Sequence, residues 1–156
     1  MKRVAVVADS HHSFQWLPMA AERLGKVDLL FHLGDFAPDA VQIAAALGGV
    51  PYFAVRGNND SGSAYSKMRV EQVEKAGILL VHGDAFYTIG QMADKARDFR
   101  CAAVLFGHTH EPLLRADGEI LIVNPGSLSL PRRGSRPSCA LLEVEGKDIY
   151  VKMISL

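Results

Sequence analysis

Residues 3–11 read RVAVVADSH, a short apolar run that leads directly into a carboxylate, a hydroxyl and an imidazole side chain. An unbroken run of small and β-branched residues is typical of a strand that is buried on both faces. Open α/β sheets collect their ligands just beyond the carboxyl ends of the strands. We therefore expect Asp9 and His11 to lie at a ligand-binding edge of a sheet.

The same arrangement, an apolar run followed by a ligand-type side chain, recurs four more times along the chain. The runs are DLLFHLG before Asp35, YFAVRG before Asn58, ILLV before His82 and AAVLFG before His108. An Asn-Pro-Gly-Ser sequence at 124–127 closes the series. Five such junctions predict that these side chains meet at one edge of the molecule.

The two halves of the chain have different patterns. The first half reads strand, helix, strand, helix, strand, which predicts a parallel sheet with right-handed crossovers. The second half is rich in strands, with turn signals at 116–119 and 145–148 and one helix near 90–99, and predicts a second sheet packed on the first. Because no linker or repeat interrupts the 156 residues, we expect a single domain over 1–156.

The composition limits the class of protein. Seventeen basic and 17 acidic residues cancel, so a nucleic-acid partner is not expected. Membrane association is not expected either, because no apolar segment approaches the length of a span. Cys101 and Cys139 lie far apart in apolar settings, which favours reduced thiols and a cytoplasmic location.

The candidate ligands form a mixed nitrogen and oxygen set. Asp9 and His11 are two residues apart, so on an extended backbone both side chains would point the same way, and the His108–His110 pair repeats this spacing. The carboxylate of Asp35 has two oxygens and can bridge two cations about 4 Å apart. The full set is Asp9, His11, Asp35, Asn58, His82, His108 and His110.

Each of these residues alone has an ordinary structural explanation. An Asp after a strand usually caps a helix or a turn, and a lone His is more often packed than bound to a metal. Seven donors at successive strand ends favour a metal site instead. Because the set has no thiolate, it favours manganese, iron or zinc over calcium or magnesium, and it argues against a structural zinc site.

The motifs D-x-H, G-D, G-N-x-D, H-G and G-H-x-H, in this order, resemble the signature of the calcineurin-like metallophosphoesterase superfamily. The short length and the closing N-P-G-S resemble its small prokaryotic phosphodiesterase branch, and the resemblance spans residues 9–127. It implies an α/β fold in which two mixed β-sheets pack as a sandwich with helices on the outer faces, a four-layer αββα arrangement. It also implies a division of the ligands: Asp9, His11 and His110 on one metal, Asn58, His82 and His108 on the other, and Asp35 bridging them.

The resemblance implies a metal-dependent phosphodiesterase that acts on a small phosphodiester, with Asp35, Asn58, Asn59 and His82 as catalytic residues. Two divalent ions, expected to be Mn²⁺ with Fe, Zn or Ni as alternatives, would generate the attacking hydroxide between them. The chain departs from the family at Asn59, where many members have a histidine. An amide can donate a hydrogen bond to a phosphate but cannot supply a proton.

Three residues are candidates for binding the substrate: Arg56, Asn59 and His12. Arg56 could clamp a phosphate oxygen through its planar fork, or it could pair with a nearby carboxylate. His12 could replace the missing acid, although a solvated surface role is favoured. We expect Asp60 to help orient Asn58.

Two other functions remain open. The resemblance includes a trafficking-complex subunit that uses this fold for protein contacts, so the chain could be a non-catalytic, metal-binding scaffold. The altered positions Asn59 and Asp84 motivate that alternative, and the complete ligand set argues against it. A nuclease of the same fold is disfavoured by the neutral net charge. Self-association is left open, since small members of the branch often form oligomers.

Overall fold

The computed structural model describes residues 1–62 and 64–156. Within these residues the chain forms ten strands and three α-helices, and a short 3₁₀ helix at Ala37–Asp39 precedes the second α-helix. The elements are β1 (Lys2–Val7), α1 (Leu17–Leu24), β2 (Leu29–His32), α2 (Ala40–Ala46), β3 (Tyr52–Ala54), β4 (Met68–Val73), β5 (Ala76–Val81), α3 (Ile89–Asp98), β6 (Ala103–Leu105), β7 (Pro112–Asp117), β8 (Ile120–Pro125), β9 (Ser138–Glu145) and β10 (Asp148–Ser155).

The strands form two five-stranded sheets, and both are mixed. The first has the order β10-β9-β1-β2-β3, in which β1, β2 and β3 are parallel and β9 runs antiparallel to β1 and β10. The second has the order β4-β5-β6-β8-β7, with β5, β6 and β8 parallel and antiparallel strands at both edges. The pair of mixed sheets that the resemblance implies is therefore confirmed. The expectation that all strands of the second half form the second sheet is wrong, because β9 pairs with β1 and β10 with β9, which extends the first sheet.

Three hydrophobic clusters define the layers. Val6 and Phe31 of the first sheet pack with Leu80 and Leu105 of the second, so the two sheets meet face to face. Helices α1 and α2 cover the outer face of the first sheet, and α3 covers the outer face of the second through residues such as Met92. The αββα arrangement buries apolar side chains on both faces of each sheet, and the predicted four-layer fold is confirmed.

Helix α1 begins later than the sequence pattern suggested. The apolar spacing predicts a helix from Phe14, whereas the helix starts at Leu17 with Pro18 in its first turn. Proline suits that position because its missing N–H is not needed there. Phe14 and Trp16 still pack, half-buried, against the cluster beneath α1 and α2. No helix in the described part of the chain is long and apolar enough to cross a membrane.

Parallel strands deliver the polar junctions to one edge of the sandwich. Backbone hydrogen bonds join the loops after neighbouring strands: Asp9 N donates to Gly34 O at 2.9 Å, and Gly107 N donates to His82 O at 2.9 Å. The loops that follow β1 and β2 in one sheet, and β5 and β6 in the other, are therefore held side by side.

Candidate metal centre

The backbone turns sharply at most of the candidate ligands. Five of the seven have a positive φ: Asp9 (52°), His11 (46°), Asp35 (57°), His108 (69°) and His110 (61°). The expected extended backbone at the Asp9–His11 and His108–His110 pairs is therefore wrong. Residues other than glycine rarely adopt this left-handed backbone conformation, because it is strained. Backbone strain of this kind concentrates at functional sites. The sharp turns aim side chains from separate loops at a common point.

One group of donors comprises Asp9, His11, Asp35 and His110, whose ligand atoms all lie within 4.8 Å of one another. His11 Nε2 lies 3.3 Å from His110 Nε2 and 3.4 Å from Asp35 Oδ2. His110 Nε2 lies 3.4 Å from Asp9 Oδ1. Asp9, Asp35 and His110 are buried, and His11 is partly exposed.

A second group of donors lies beside the first. Asn58 Oδ1 is 3.0 Å from His82 Nε2 and 3.2 Å from His108 Nδ1. His82 Nε2 is also 3.4 Å from Asp35 Oδ1. The two oxygens of Asp35 thus face different groups, Oδ2 towards His11 and Oδ1 towards His82. This is the geometry expected of a carboxylate that bridges two cations.

Hydrogen bonds assign the protons on two of the imidazoles. His82 Nδ1 donates to Leu33 O at 2.7 Å, and His110 Nδ1 donates to Leu130 O at 2.6 Å. In a neutral imidazole the other nitrogen then carries no proton. Both Nε2 atoms therefore direct lone pairs at carboxylate oxygens of the two groups.

Asp9 completes this cluster of acceptors. Its Oδ2 accepts a hydrogen bond from His108 N at 2.9 Å, whereas its buried Oδ1 has no hydrogen-bond partner among the described residues. Acceptors that face one another in a buried site repel unless positive charge lies between them. The donor set, its fixed tautomers and the unpaired oxygen fit divalent cations.

The ionisation of Asp35 suits the same role. Burial raises the pKa of Asp35, but hydrogen bonds from Asn59 and the nearby imidazoles of His82 and His11 outweigh that effect, so its pKa lies below the usual value. For His110, the adjacent Asp9 carboxylate raises the pKa and burial opposes it. The lowered pKa of Asp35 thus keeps its carboxylate in the charged form that binds a cation.

The candidate substrate-binding residues have distinct surroundings. Asn59, expected at a substrate phosphate, directs its amide to Asp35. Arg56 lines a polar cavity with Asn58 and Lys67, and its buried Nε has no hydrogen-bond partner in residues 1–62 or 64–156. The His12 side chain is 73% exposed, and its Nδ1 lies 3.0 Å from the Asp39 carboxylate. Contacts of these residues with substrate stay predictions.

Asp60 supports the loop rather than Asn58 itself. Its carboxylate accepts hydrogen bonds from Gly57 N at 2.8 Å and Ala37 N at 3.0 Å. It therefore ties the turn before Asn58 to the 3₁₀ helix, and a contribution of Asp60 to the orientation of Asn58 stays a prediction.

A buried chain of hydrogen bonds that sequence reasoning missed supports the loop of Asp9 and His11. Gly34 N donates to His32 Nδ1 at 3.2 Å, so His32 Nε2 donates to Ser10 Oγ at 2.8 Å. Ser10 Oγ in turn donates to Asp39 Oδ2 at 2.7 Å. Burial lowers the pKa of His32 to about 4. No local sequence pattern marks Asp39 as part of this series of hydrogen bonds.

The Asn-Pro-Gly-Ser segment, to which the sequence assigned no role, joins two ligand loops. Asn124 Nδ2 donates to Gly107 O at 2.9 Å and to Thr109 Oγ1 at 3.0 Å. Ser127 Oγ donates to Asp9 O at 2.8 Å. These bonds hold the backbone around His108 and Asp9, and help to retain its left-handed turns.

Comparisons with known proteins agree with this geometry. The family model described as the calcineurin-like phosphoesterase superfamily domain matches residues 1–147. The probable metallophosphoesterase YsnB of Bacillus subtilis is 30% identical, over 96% of this chain and 88% of that protein. The phosphodiesterase YfcE of Escherichia coli is 35% identical over 98 residues, which cover 58% of this chain and 51% of YfcE.

A solved structure is similar over nearly the whole length. It is a conserved Streptococcus pneumoniae protein described as a predicted phosphoesterase, with a TM-score of 0.79 and 28% identity. The match covers 99% of this chain and 89% of the other. The similarity therefore includes both sheets and the loops that carry the seven donors.

Proposed function

We propose that this chain, which belongs to the calcineurin-like phosphoesterase superfamily, is a dinuclear metal-dependent phosphodiesterase. The observation that carries the proposal is the position of Asp35. Its Oδ2 lies 3.4 Å from His11 Nε2 and its Oδ1 lies 3.4 Å from His82 Nε2, so one carboxylate joins two donor groups. A two-metal site for in-line displacement at phosphorus needs such a shared ligand.

The proposal assigns one cation to Asp9, His11 and His110 and the other to Asn58, His82 and His108, with Asp35 shared. The nitrogen and oxygen donors favour Mn²⁺, with Fe, Zn or Ni as alternatives. When bound, two such cations supply Lewis acidity and an ionised water as the nucleophile.

Residues of the chain orient the candidate metal ligands and would bind the substrate. The Leu33 carbonyl keeps the proton of His82 on Nδ1, and Asn59 holds both oxygens of Asp35. Arg56 lines a polar cavity beside Asn58, where its guanidinium would bind a phosphate oxygen. Asn59 and the exposed imidazole of His12 complete the proposed substrate contacts.

The proposed substrate is a small phosphodiester. The similarity to YfcE, a phosphodiesterase, supports diester chemistry, and the zero net charge gives no attraction for a long polyanion. We place the protein in the cytoplasm, a reducing compartment, because Cys101 and Cys139 are free thiols buried in different hydrophobic clusters.

The test is hydrolysis of bis(4-nitrophenyl) phosphate with Mn²⁺ by the purified protein and by Asp35→Ala and His82→Ala variants. We expect each variant to lose about 100-fold or more of the rate, and metal analysis to show fewer bound ions. Gln42→Ala, at an exposed position on α2, is the control.

Full activity in both ligand variants would show that the site is assigned wrongly. A wild-type protein that binds metal but hydrolyses no diester would instead support the scaffold function. Circular dichroism of every variant separates loss of the site from loss of the fold.

A further inference from the structure

An apolar cavity of about 250 Å³ lies beside the second donor group. Its wall includes His108, which belongs to the second donor group, and Gly83, which follows His82 in the chain. None of the four residues in the first donor group lines this cavity. We call this cavity the aromatic subsite, after the side chains that form most of it: Phe86, Tyr87, Ile89, Met92, Phe106 and Leu113.

Several polar side chains in its wall have protein partners, among them Glu111, whose carboxylate lies 3.2 Å from Arg133 Nε. Thr88 Oγ1 accepts a hydrogen bond from Gln91 N as the cap of α3. Thr109 Oγ1 accepts one from Asn124 Nδ2. A bound group would therefore meet a mainly apolar surface, which recognises shape and apolar area rather than a pattern of hydrogen bonds.

The size of the subsite limits what it can hold. Its volume exceeds that of an apolar cavity of about 150 Å³ that binds benzene and lies below the value of about 300 Å³ at which sites for drug-sized ligands begin, so a ring-sized group fits. Tyr87 lines the subsite, yet it is 95% exposed to solvent. A large aromatic side chain left in solvent beside an apolar cavity gains contact area when a ring is bound there.

We propose that the aromatic subsite binds an aryl substituent of the phosphodiester, and specifically the substituent that remains on phosphorus. This inference rests on the proposed function. In-line displacement sends the departing oxygen away from the nucleophile held within the donor groups. The cavity borders the second donor group through His108, and the proposal therefore assigns it to the substituent that stays.

If the subsite binds an aryl substituent, the enzyme should prefer a diester that retains a phenyl group over one that retains a methyl group. Phenyl 4-nitrophenyl phosphate and methyl 4-nitrophenyl phosphate share a leaving group and differ only in the retained substituent. Burial of a ring in an apolar cavity should favour the phenyl ester by about 10- to 100-fold in kcat/KM. Each rate is divided by that of the uncatalysed reaction with hydroxide, which removes the difference in intrinsic reactivity.

Two substitutions on β7 test the location. Leu113→Trp should fill the subsite and bring the phenyl-to-methyl ratio close to one. Leu114→Trp is the matched control, since Leu114 is the next residue on the strand, is 48% exposed and does not line the subsite. It should leave the ratio unchanged. Tyr87→Ala should lower the ratio a few-fold, and Tyr150→Ala, another exposed tyrosine, should not.

A binding measurement that needs no turnover accompanies the kinetics. In protein loaded with diamagnetic Zn²⁺ and labelled at its methionine methyl groups, phenylphosphonate should shift the Met92 signal through the ring current. Methylphosphonate should not, and Leu113→Trp should abolish the shift. Methyl spectra of the variants also report whether they are folded.

The outcomes separate the two proposals. Hydrolysis of both diesters at equal corrected rates would overturn the inference and leave the proposed function intact. A phenyl preference without a Met92 shift would place the ring elsewhere and also overturn it. No hydrolysis of either diester would refute the proposed function, and with it the claim that the subsite serves a substrate.

Discussion

Asn59 donates two hydrogen bonds to Asp35, from its backbone N to Oδ1 at 3.0 Å and from Nδ2 to Oδ2 at 2.7 Å. One residue thereby fixes both oxygens of the carboxylate that joins the donor groups. This position, at which the family resemblance implies a histidine in many members, therefore orients a candidate ligand here. Catalysis by this chain should depend on that orientation.

Replacement of Asn59 by Ala removes the side-chain hydrogen bond and retains the backbone one. Because groups that orient metal ligands contribute about 10- to 100-fold to metal affinity or activity, we expect a loss of that size in Mn²⁺ affinity or in diester kcat/KM. Calorimetric titration and steady-state kinetics measure the two quantities, with Gln42→Ala as the control. Unchanged values for both would show that the backbone bond alone positions Asp35.

The glycine before Asn58 is required by the close approach of two loops. A Cβ at Gly57 would overlap Asp35 Oδ1, lie 2.6 Å from Asp35 N and 3.0 Å from His82 Cδ2. Gly57→Ala should therefore displace Asp35, lower metal affinity at least about tenfold and destabilise the fold by about 1–3 kcal/mol. Thermal unfolding and metal titration measure these effects.

Gly90 provides the matched control for Gly57. It lies in the first turn of α3, and among the described residues outside that turn's backbone a Cβ there would have Thr88 Oγ1 as its neighbour, at 3.7 Å. Gly90→Ala should leave metal binding unchanged and stabilise the protein by up to about 1 kcal/mol. Equal behaviour of the two variants would contradict the steric argument at Gly57.

His32 should make the stability fall in mild acid. Burial lowers its pKa from 6.5 to about 4, against the opposing effects of Asp39, Asp9 and Asp60, while His82 lowers it further. Below pH 6.5 the unfolded chain binds a proton that the folded chain does not, so stability decreases as pH falls towards 4. At about 1.4 kcal/mol per pKa unit, the total is about 3 kcal/mol.

The measurement is urea unfolding of metal-free protein between pH 7.5 and 4, for wild type and His32→Gln. The difference in unfolding free energy between the two should change by about 3 kcal/mol over this range, with the variant losing less stability in acid. A difference that stays constant with pH would mean that His32 does not cause the acid sensitivity.

The leaving group should control the rate, because the Asn59 amide cannot supply a proton to a departing alkoxide. Diesters with acidic, aryl leaving groups should be hydrolysed readily and alkyl phosphates poorly, so log kcat/KM should decrease steeply with leaving-group pKa. Asn59→His should flatten that dependence if the added imidazole acts as the acid. Efficient hydrolysis of alkyl monoesters by the wild-type protein would overturn this expectation.

The sequence pattern predicted the strands well because they depend on local hydrophobic periodicity, whereas the four-layer arrangement was implied by the family resemblance, and the pattern assigned β9 and β10 to the wrong sheet. The apolar run before Asp9 forms β1 within one residue of its expected end, and the turn signals near Gly118 and Gly146 lie between paired strands. The pattern failed at the backbone of the ligands, where residues such as His11 and His108 are left-handed rather than extended. Hydrogen bonds from distant segments impose those turns.

The sequence by itself determined which donor side chains follow which strands, since apolar runs and the polar residues after them are contiguous in the chain. Tertiary structure alone decided which atoms meet. His11 and His110 are 99 residues apart and 3.3 Å apart in space, and Ser10 and Asp39 are 29 residues apart and share a hydrogen bond. Such contacts, and the cavity between α3 and β7, arise because separate loops converge where the two sheets pack, and no local pattern encodes that convergence.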